Sequence, residues 1–126
     1  MLISKIQAWL VSLWKKDCKL KGLFLDDERN PSDVTWVNYP ENIEWKVVRS
    51  YDEFFYEFHR HTFQVFSFDH DIQDSNHRGV ELTGHTVLKA MLDTFPEQVF
   101  SHTQNPIGKE NMESYWKNFC KHYKGE

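Results

Sequence analysis

"QVFSFDHDI", residues 64–72, decides how this chain is read. Val65, Phe66 and Phe68 form a short apolar run, β-branched and aromatic, of the length and composition of a buried strand. Asp69, His70 and Asp71 then stand where that strand runs out. Polar residues open a solvated loop, but two carboxylates and an imidazole also suit one wall of a site. The rest of the chain has to decide between these.

The same pattern recurs on either side. "KGLFLDD" (21–27) is an apolar run closed by acids, "WKVVRS" (45–50) is a second strand candidate, and "QVFSH" (98–102) is a fourth. Helical patterns separate them. Ser50 and Glu53 form a capping box ahead of the apolar face of Tyr51, Phe54, Phe55 and Phe58. Thr83 caps a helix with the stripe Val87, Leu88, Met91, Leu92 and Phe95, ended by Pro96. Asn105-Pro106 is an N-cap with proline at the first helical position, and that helix buries Met112, Tyr115, Trp116, Phe119 and Tyr123. Two stretches read as loops, the long one at 28–44, with two prolines, and the polar one at 70–82. Strands separated by helices imply crossovers and a parallel sheet. The fold class is α/β, a three-layer sandwich with a four-stranded, mainly parallel sheet.

The bulk composition fits one domain of 126 residues with a real core, since 16% of the chain is aromatic and disordered chains are aromatic-poor. The net charge is -4 with no basic block, so nothing in the sequence points to duplex nucleic acid as a partner. Cys18 and Cys120 form neither a C-x-x-C pair nor a zinc spacing, so two free thiols in a reduced cytoplasm are the simplest reading. In "MLISKIQAWLVSLWKK" (1–16), Leu2, Ile3, Ile6, Trp9, Leu10, Leu13 and Trp14 share one helical stripe. We therefore divide the chain into an amphipathic helical extension at 1–21 and a domain at 22–126. The extension packs on the domain, on a second copy or a protein partner, or lies on a membrane surface; it is too interrupted to be a transmembrane segment.

In parallel α/β sheets ligands bind outside the carboxyl ends of the strands. Asp26, Asp27 and Arg29 follow the first strand, Asp69, His70 and Asp71 the third, and His102 and Asn105 the fourth. All would meet at one sheet edge. Clustered carboxylates repel unless a cation holds them together. Asp26, Asp27, Asp69 and Asp71 are hard oxygen ligands suited to a divalent metal, Mg²⁺ or Mn²⁺ first. Arg29 is a fork of donors for phosphate, and the helix starts after Thr83 and Asn105 add backbone N–H groups for an anion. His70 and His102 are the candidates for proton transfer or further ligation. Together these groups suggest metal-assisted phosphoester chemistry. Every one has a structural alternative. The aspartates can cap turns, Arg29 can pair with an acid, the histidines can bond to backbone, and Asn105 can be an N-cap alone. His59, His61, His77, His85 and His122 carry no second signal.

In order and spacing, "LFLDDERNP" (23–31), "FSFDHDI" (66–72), "TGHTV" (83–87) and "SHTQNPIGKENM" (101–112) resemble the cyclic-phosphate processing receiver-like domain of bacteria and phages. The resemblance runs from Leu23 to Met112. It implies a receiver version of the flavodoxin fold with an acidic pocket, and a hydrolase acting on a cyclic phosphate of a nucleotide or related metabolite. Carried over by position, the site is Asp26, Asp27, Arg29, Asp69, His70, Asp71, His102, Thr103, Asn105 and Asn111. Thr103 stands where serine is common and Ile72 where leucine is. A phosphotransfer receiver also needs a lysine after a fifth strand, and no fifth strand is visible. The expectation is a metal-dependent phosphoesterase: Asp26, Asp27 and Asp69 hold the cation, Arg29 offsets charge, and His70 or His102 protonates the leaving oxygen. The alternative is a non-catalytic module that binds a cyclic nucleotide or a protein partner.

Overall fold

A computed structural model of the chain describes residues 19–94 and 96–123. Four parallel strands form the main sheet: β1 (Leu20–Leu25), β2 (Ile43–Val48), β3 (Val65–Phe68) and β6 (Gln98–Ser101), in the order β2-β1-β3-β6. Helix α1 (Tyr51–Phe58) joins β2 to β3, α2 (Gly84–Met91) joins β3 to β6, and α3 (Pro106–Tyr123) follows β6. Leu25 pairs with both Val48 and Phe68, and Phe68 pairs with Ser101, so three strands besides β1 end level with it. That level edge brings the polar residues after β1, β3 and β6 together.

Period-two alternation gives the sheet two different faces. Leu23, Leu25, Val48, Phe66 and Phe68 pack with Phe54 of α1, Val87, Leu88 and Met91 of α2, and Met112 of α3. Phe54 is fully buried against Phe66 and Phe68, a burial that contributes about 2–3 kcal/mol. The opposite face carries Phe24, Trp45, Ser67 and Phe100. Tyr39, from the long β1–β2 connection, lays its ring against Trp45 and Phe100, with centroids 5.0 and 5.3 Å apart. Handedness explains the split. The chain steps one way from β1 to β2 and the other way from β2 to β3 and β6, so right-handed crossovers place the first connection on the opposite face from the rest. Among the described residues, the third layer is therefore this loop and not a helix.

Some expectations need correction. The loop at 70–82 contains a small antiparallel ribbon, β4 (Asp74–Ser75) with β5 (Glu81–Leu82). Its turn is closed by Asn76, whose Oδ1 accepts from the amides of Arg78 and Val80. Helix α2 gives way to a 3-10 turn over Leu92–Thr94 before Pro96. Tyr115 is 39% exposed instead of buried. It packs against His85, and Lys89 lies over its ring, so α3 turns that position towards α2 and solvent. β1 begins at Leu20, inside the span assigned to the extension. The amphipathic helix read at the N-terminus lies outside the described residues, as do the contacts inferred for it, Cys18, Phe95 and the side chain of Tyr123. Cys120 carries a free thiol. Among the described residues, no helix is long and apolar enough to cross a membrane.

Candidate functional site

The turn after β1 is wound around Asp26. Its Oδ1 accepts from the amides of Glu28 and Arg29, both at 2.8 Å, which fixes the backbone as it leaves the strand. Its Oδ2 accepts from His102 Nε2 at 2.9 Å, and neither residue is exposed at all. Burial would raise the Asp26 carboxyl, but the His102 bond and the two amides outweigh it and bring the group down to about 2. His102 is pinned on every side. Phe24 stacks on its ring with centroids 4.2 Å apart, Nδ1 is 2.7 Å from Ser67 Oγ, and its carbonyl accepts from Trp36 Nε1 at 2.9 Å.

Asp69 sits at the end of β3 and is 6% exposed. Its Oδ1 accepts from the His70 amide, and the Thr103 hydroxyl donates to its carboxylate. Burial and the neighbouring Asp26 charge push Asp69 above the ordinary carboxylate range. Asp27 is also pushed up, by burial first and then by the charges of Asp26, Glu28 and Asp69. Asp26, Asp27 and Asp69 each present an oxygen within 4.8 Å of the others. Three hard oxygens so close, two of them reluctant to ionise, fit a divalent cation such as Mg²⁺ or Mn²⁺. These three face an open cleft of about 210 Å³ lined also by Glu28, Arg29, Asp71, Gln73, Thr103, Gln104 and Asn105.

Arg29 stands at its rim. Its Nη2 donates to Gln104 Oε1 at 3.0 Å, its Nη1 is 3.8 Å from Asp26 Oδ2, and its guanidinium carbon lies 5.4 Å from the Trp36 ring centre. About a third of the side chain remains exposed, with a relative area of 34%.

The structure thus gathers Asp26, Asp27, Arg29, Asp69, Asp71, Thr103 and Asn105 around one cleft, while His102 supports Asp26 from behind. Asp71 lies outside the metal-compatible trio: it bonds His70 Nδ1 at 2.9 Å and Asn105 Nδ2 at 3.2 Å, and these bonds lower its pKa. Asn105 also caps α3, accepting from the amides of Ile107 and Gly108. His70 does not line the cleft; its ring lies under Gly108, where a methyl group would collide with it. Thr83 caps α2 through the Thr86 amide and lines a different groove, with His85 and Lys89. Asn111 is exposed on α3, away from the cleft lining.

Sequence reasoning missed four supporting residues. Arg49 donates to the carbonyls of Asp26 and Arg29 and to Asn30 Oδ1, at 3.1, 2.6 and 2.7 Å, and so clamps the first turn. It directly follows β2, and its position in "VVRS", just past an apolar run, carries the same signal as the other strand ends. Gln104 holds Arg29, and it lies between two residues that were singled out. Ser67 and Tyr39 had no signal of their own; a serine within an apolar strand and a tyrosine in a loop are ordinary.

A four-stranded parallel α/β sheet with an acidic trio at its strand ends defines a receiver-like domain. The sequence model of one such family, the cyclic-phosphate processing receiver domain, matches residues 21–118. The chain belongs to that family, and is thereby a receiver-like domain linked to cyclic-phosphate processing. Comparisons with curated proteins and with solved structures gave no match.

Proposed function

We propose that the domain is a metal-dependent phosphoesterase that opens a cyclic phosphate of a nucleotide or related metabolite. The observation that carries this reading is the convergence of Asp26, Asp27 and Asp69 within 4.8 Å beside the partly exposed Arg29. Those three carboxylates would hold Mg²⁺ or Mn²⁺. When bound, the cation supplies positive charge to a phosphoryl oxygen and favours attack by water. Arg29, oriented by Gln104 and Trp36, neutralises the charge that grows on the phosphate. Asn105 and Asp71 form the far wall and position the ester. The cleft volume suits a phosphate with its hydration, so the remainder of the ligand lies over the rim.

Neither histidine serves as the acid first assigned to it in this reading. His102 is buried behind Asp26 and becomes a positioning residue, while His70 is turned under α3. Water then adds to phosphorus as one P–O ester bond of the ring breaks. The water's proton is lost to solvent and the leaving oxygen takes one from solvent in the open cleft, so catalysis rests on charge stabilisation. The same observation favours a second reading, a module that binds a cyclic nucleotide without cleaving it.

The test is incubation of the full chain with a panel of 2′,3′- and 3′,5′-cyclic nucleotides plus Mn²⁺ or Mg²⁺, followed by chromatography. Metal-dependent conversion to the linear phosphate, abolished in Asp69→Asn, is the expected result. Ligand bound but recovered intact would overturn hydrolysis in favour of the binding module.

A further inference from the structure

Behind the acidic cleft, a file of hydrogen bonds runs through the sheet to the opposite face. Asp26 Oδ2, His102 Nε2 and Nδ1, Ser67 Oγ and the Tyr39 hydroxyl are linked by contacts of 2.9, 2.7 and 2.6 Å. Ser67 and His102 are fully buried, so no water competes for these groups.

The file holds the His102 ring at both nitrogens. Nε2 meets the Asp26 carboxylate, and Nδ1 meets Ser67 Oγ, which is itself held by the Tyr39 hydroxyl. Tyr39 is thus the last polar group behind the carboxylate, three contacts from it.

We propose that Tyr39 is a positioning residue of the cleft: through Ser67 it holds the His102 ring and so keeps the Asp26 carboxylate in ligand geometry. This rests on the metal-binding reading above. Supporting groups behind a ligand typically change metal affinity by about 10–100-fold when removed. It also gives the β1–β2 loop a second task besides covering the sheet. Tyr39 keeps its place without its hydroxyl, because its ring packs on Trp45 and Phe100.

The test uses the full chain, metal-free and ¹⁵N-labelled at histidine, as wild type, Tyr39→Phe and Ser67→Ala. Long-range ¹H–¹⁵N spectra follow the His102 ring nitrogens, and calorimetry with MnCl₂ reads affinity. Tyr39→Phe should retain its circular dichroism, shift the His102 Nδ1 resonance and bind Mn²⁺ about tenfold more weakly. Ser67→Ala should shift Nδ1 further. Unchanged His102 resonances and affinity in Tyr39→Phe would overturn the proposal. If the wild type binds no Mn²⁺, the function above fails, whereas the metal-free spectra still decide whether Tyr39 holds the His102 ring.

Discussion

His102 Nε2 stands 2.9 Å from Asp26 Oδ2, with side-chain exposures of 0% and 1%. Removing one partner of such a buried pair leaves the other dry and unsatisfied, which costs more than the bond contributes. His102→Ala should therefore lower stability by about 3 kcal/mol in urea unfolding. Arg29→Ala, on a side chain about a third exposed, should cost less than about 1 kcal/mol. Equal, small losses in both would show that the buried contact does not organise the strand ends.

Asp69 has the opposite electrostatic sign. Its ionised form is opposed by burial and by Asp26. Asp69→Asn should stabilise the metal-free domain at neutral pH, raising Tm by about 3 °C. The same variant should lose the increase in Tm that Mn²⁺ gives the parent. A lower Tm in the metal-free variant would mean that Asp69 is structurally required as a charge.

Acid should separate metal binding from folding. Asp26 has a depressed folded pKa, so its stabilisation is fully present above the ordinary value of 3.8 and is lost as the pH falls through about 2. Asp69 and Asp27 are displaced upward, so they take up protons above 3.8 and no stability is lost on their account. Mn²⁺ affinity should fall as the pH is lowered from neutral towards the carboxylate range, with far-UV circular dichroism unchanged. Affinity that stays flat over that range would count against these carboxylates as ligands.

Arg29 takes part at the cleft rim, whereas His70 stands outside it. His70→Gln should retain turnover within about threefold, since its ring faces Gly108 and not the cleft. Arg29→Ala should lower kcat/KM by about 100-fold, the scale of losing one charged transition-state donor. A loss in His70→Gln as large as that in Arg29→Ala would return His70 to the chemistry.

Gly84 and Gly108 are held by contact. A methyl on Gly84 would strike the Asp69 carbonyl, and one on Gly108 the His70 ring. Gly84→Ala should be the worse of the two, because the obstacle is backbone and cannot turn aside. We expect a loss of about 2–3 kcal/mol in thermal unfolding for Gly84→Ala, and less for Gly108→Ala. The reverse order would mean that the start of α2 shifts easily.

Much of this was legible in the sequence, for identifiable reasons. Val65–Phe68 and Leu23–Leu25 are buried on both faces, and continuous apolar runs announce such strands. Asp26, Asp27 and Asp69 could be grouped because parallel strands must end at one edge. What stayed hidden depends on side-chain direction. His70 and Asp71 adjoin Asp69 in sequence, yet one turns under α3 and the other towards Asn105. Tyr39 lies far from the strand ends along the chain, and only the fold of its loop brings it to Ser67. Arg49 escaped because its partners are carbonyls, which no sequence pattern marks.

The packing of Gly84 and Gly108 bears on how relatives of this domain should be sorted. T-G and N-P-x-G are demanded by steric fit and capping, not by reaction chemistry, so a copy that had lost all activity would still need them to fold. A signature search weighted towards these positions would recover live and dead copies alike. Asp27, Asp69 and Arg29 carry little of the fold, and their presence is what would separate the two.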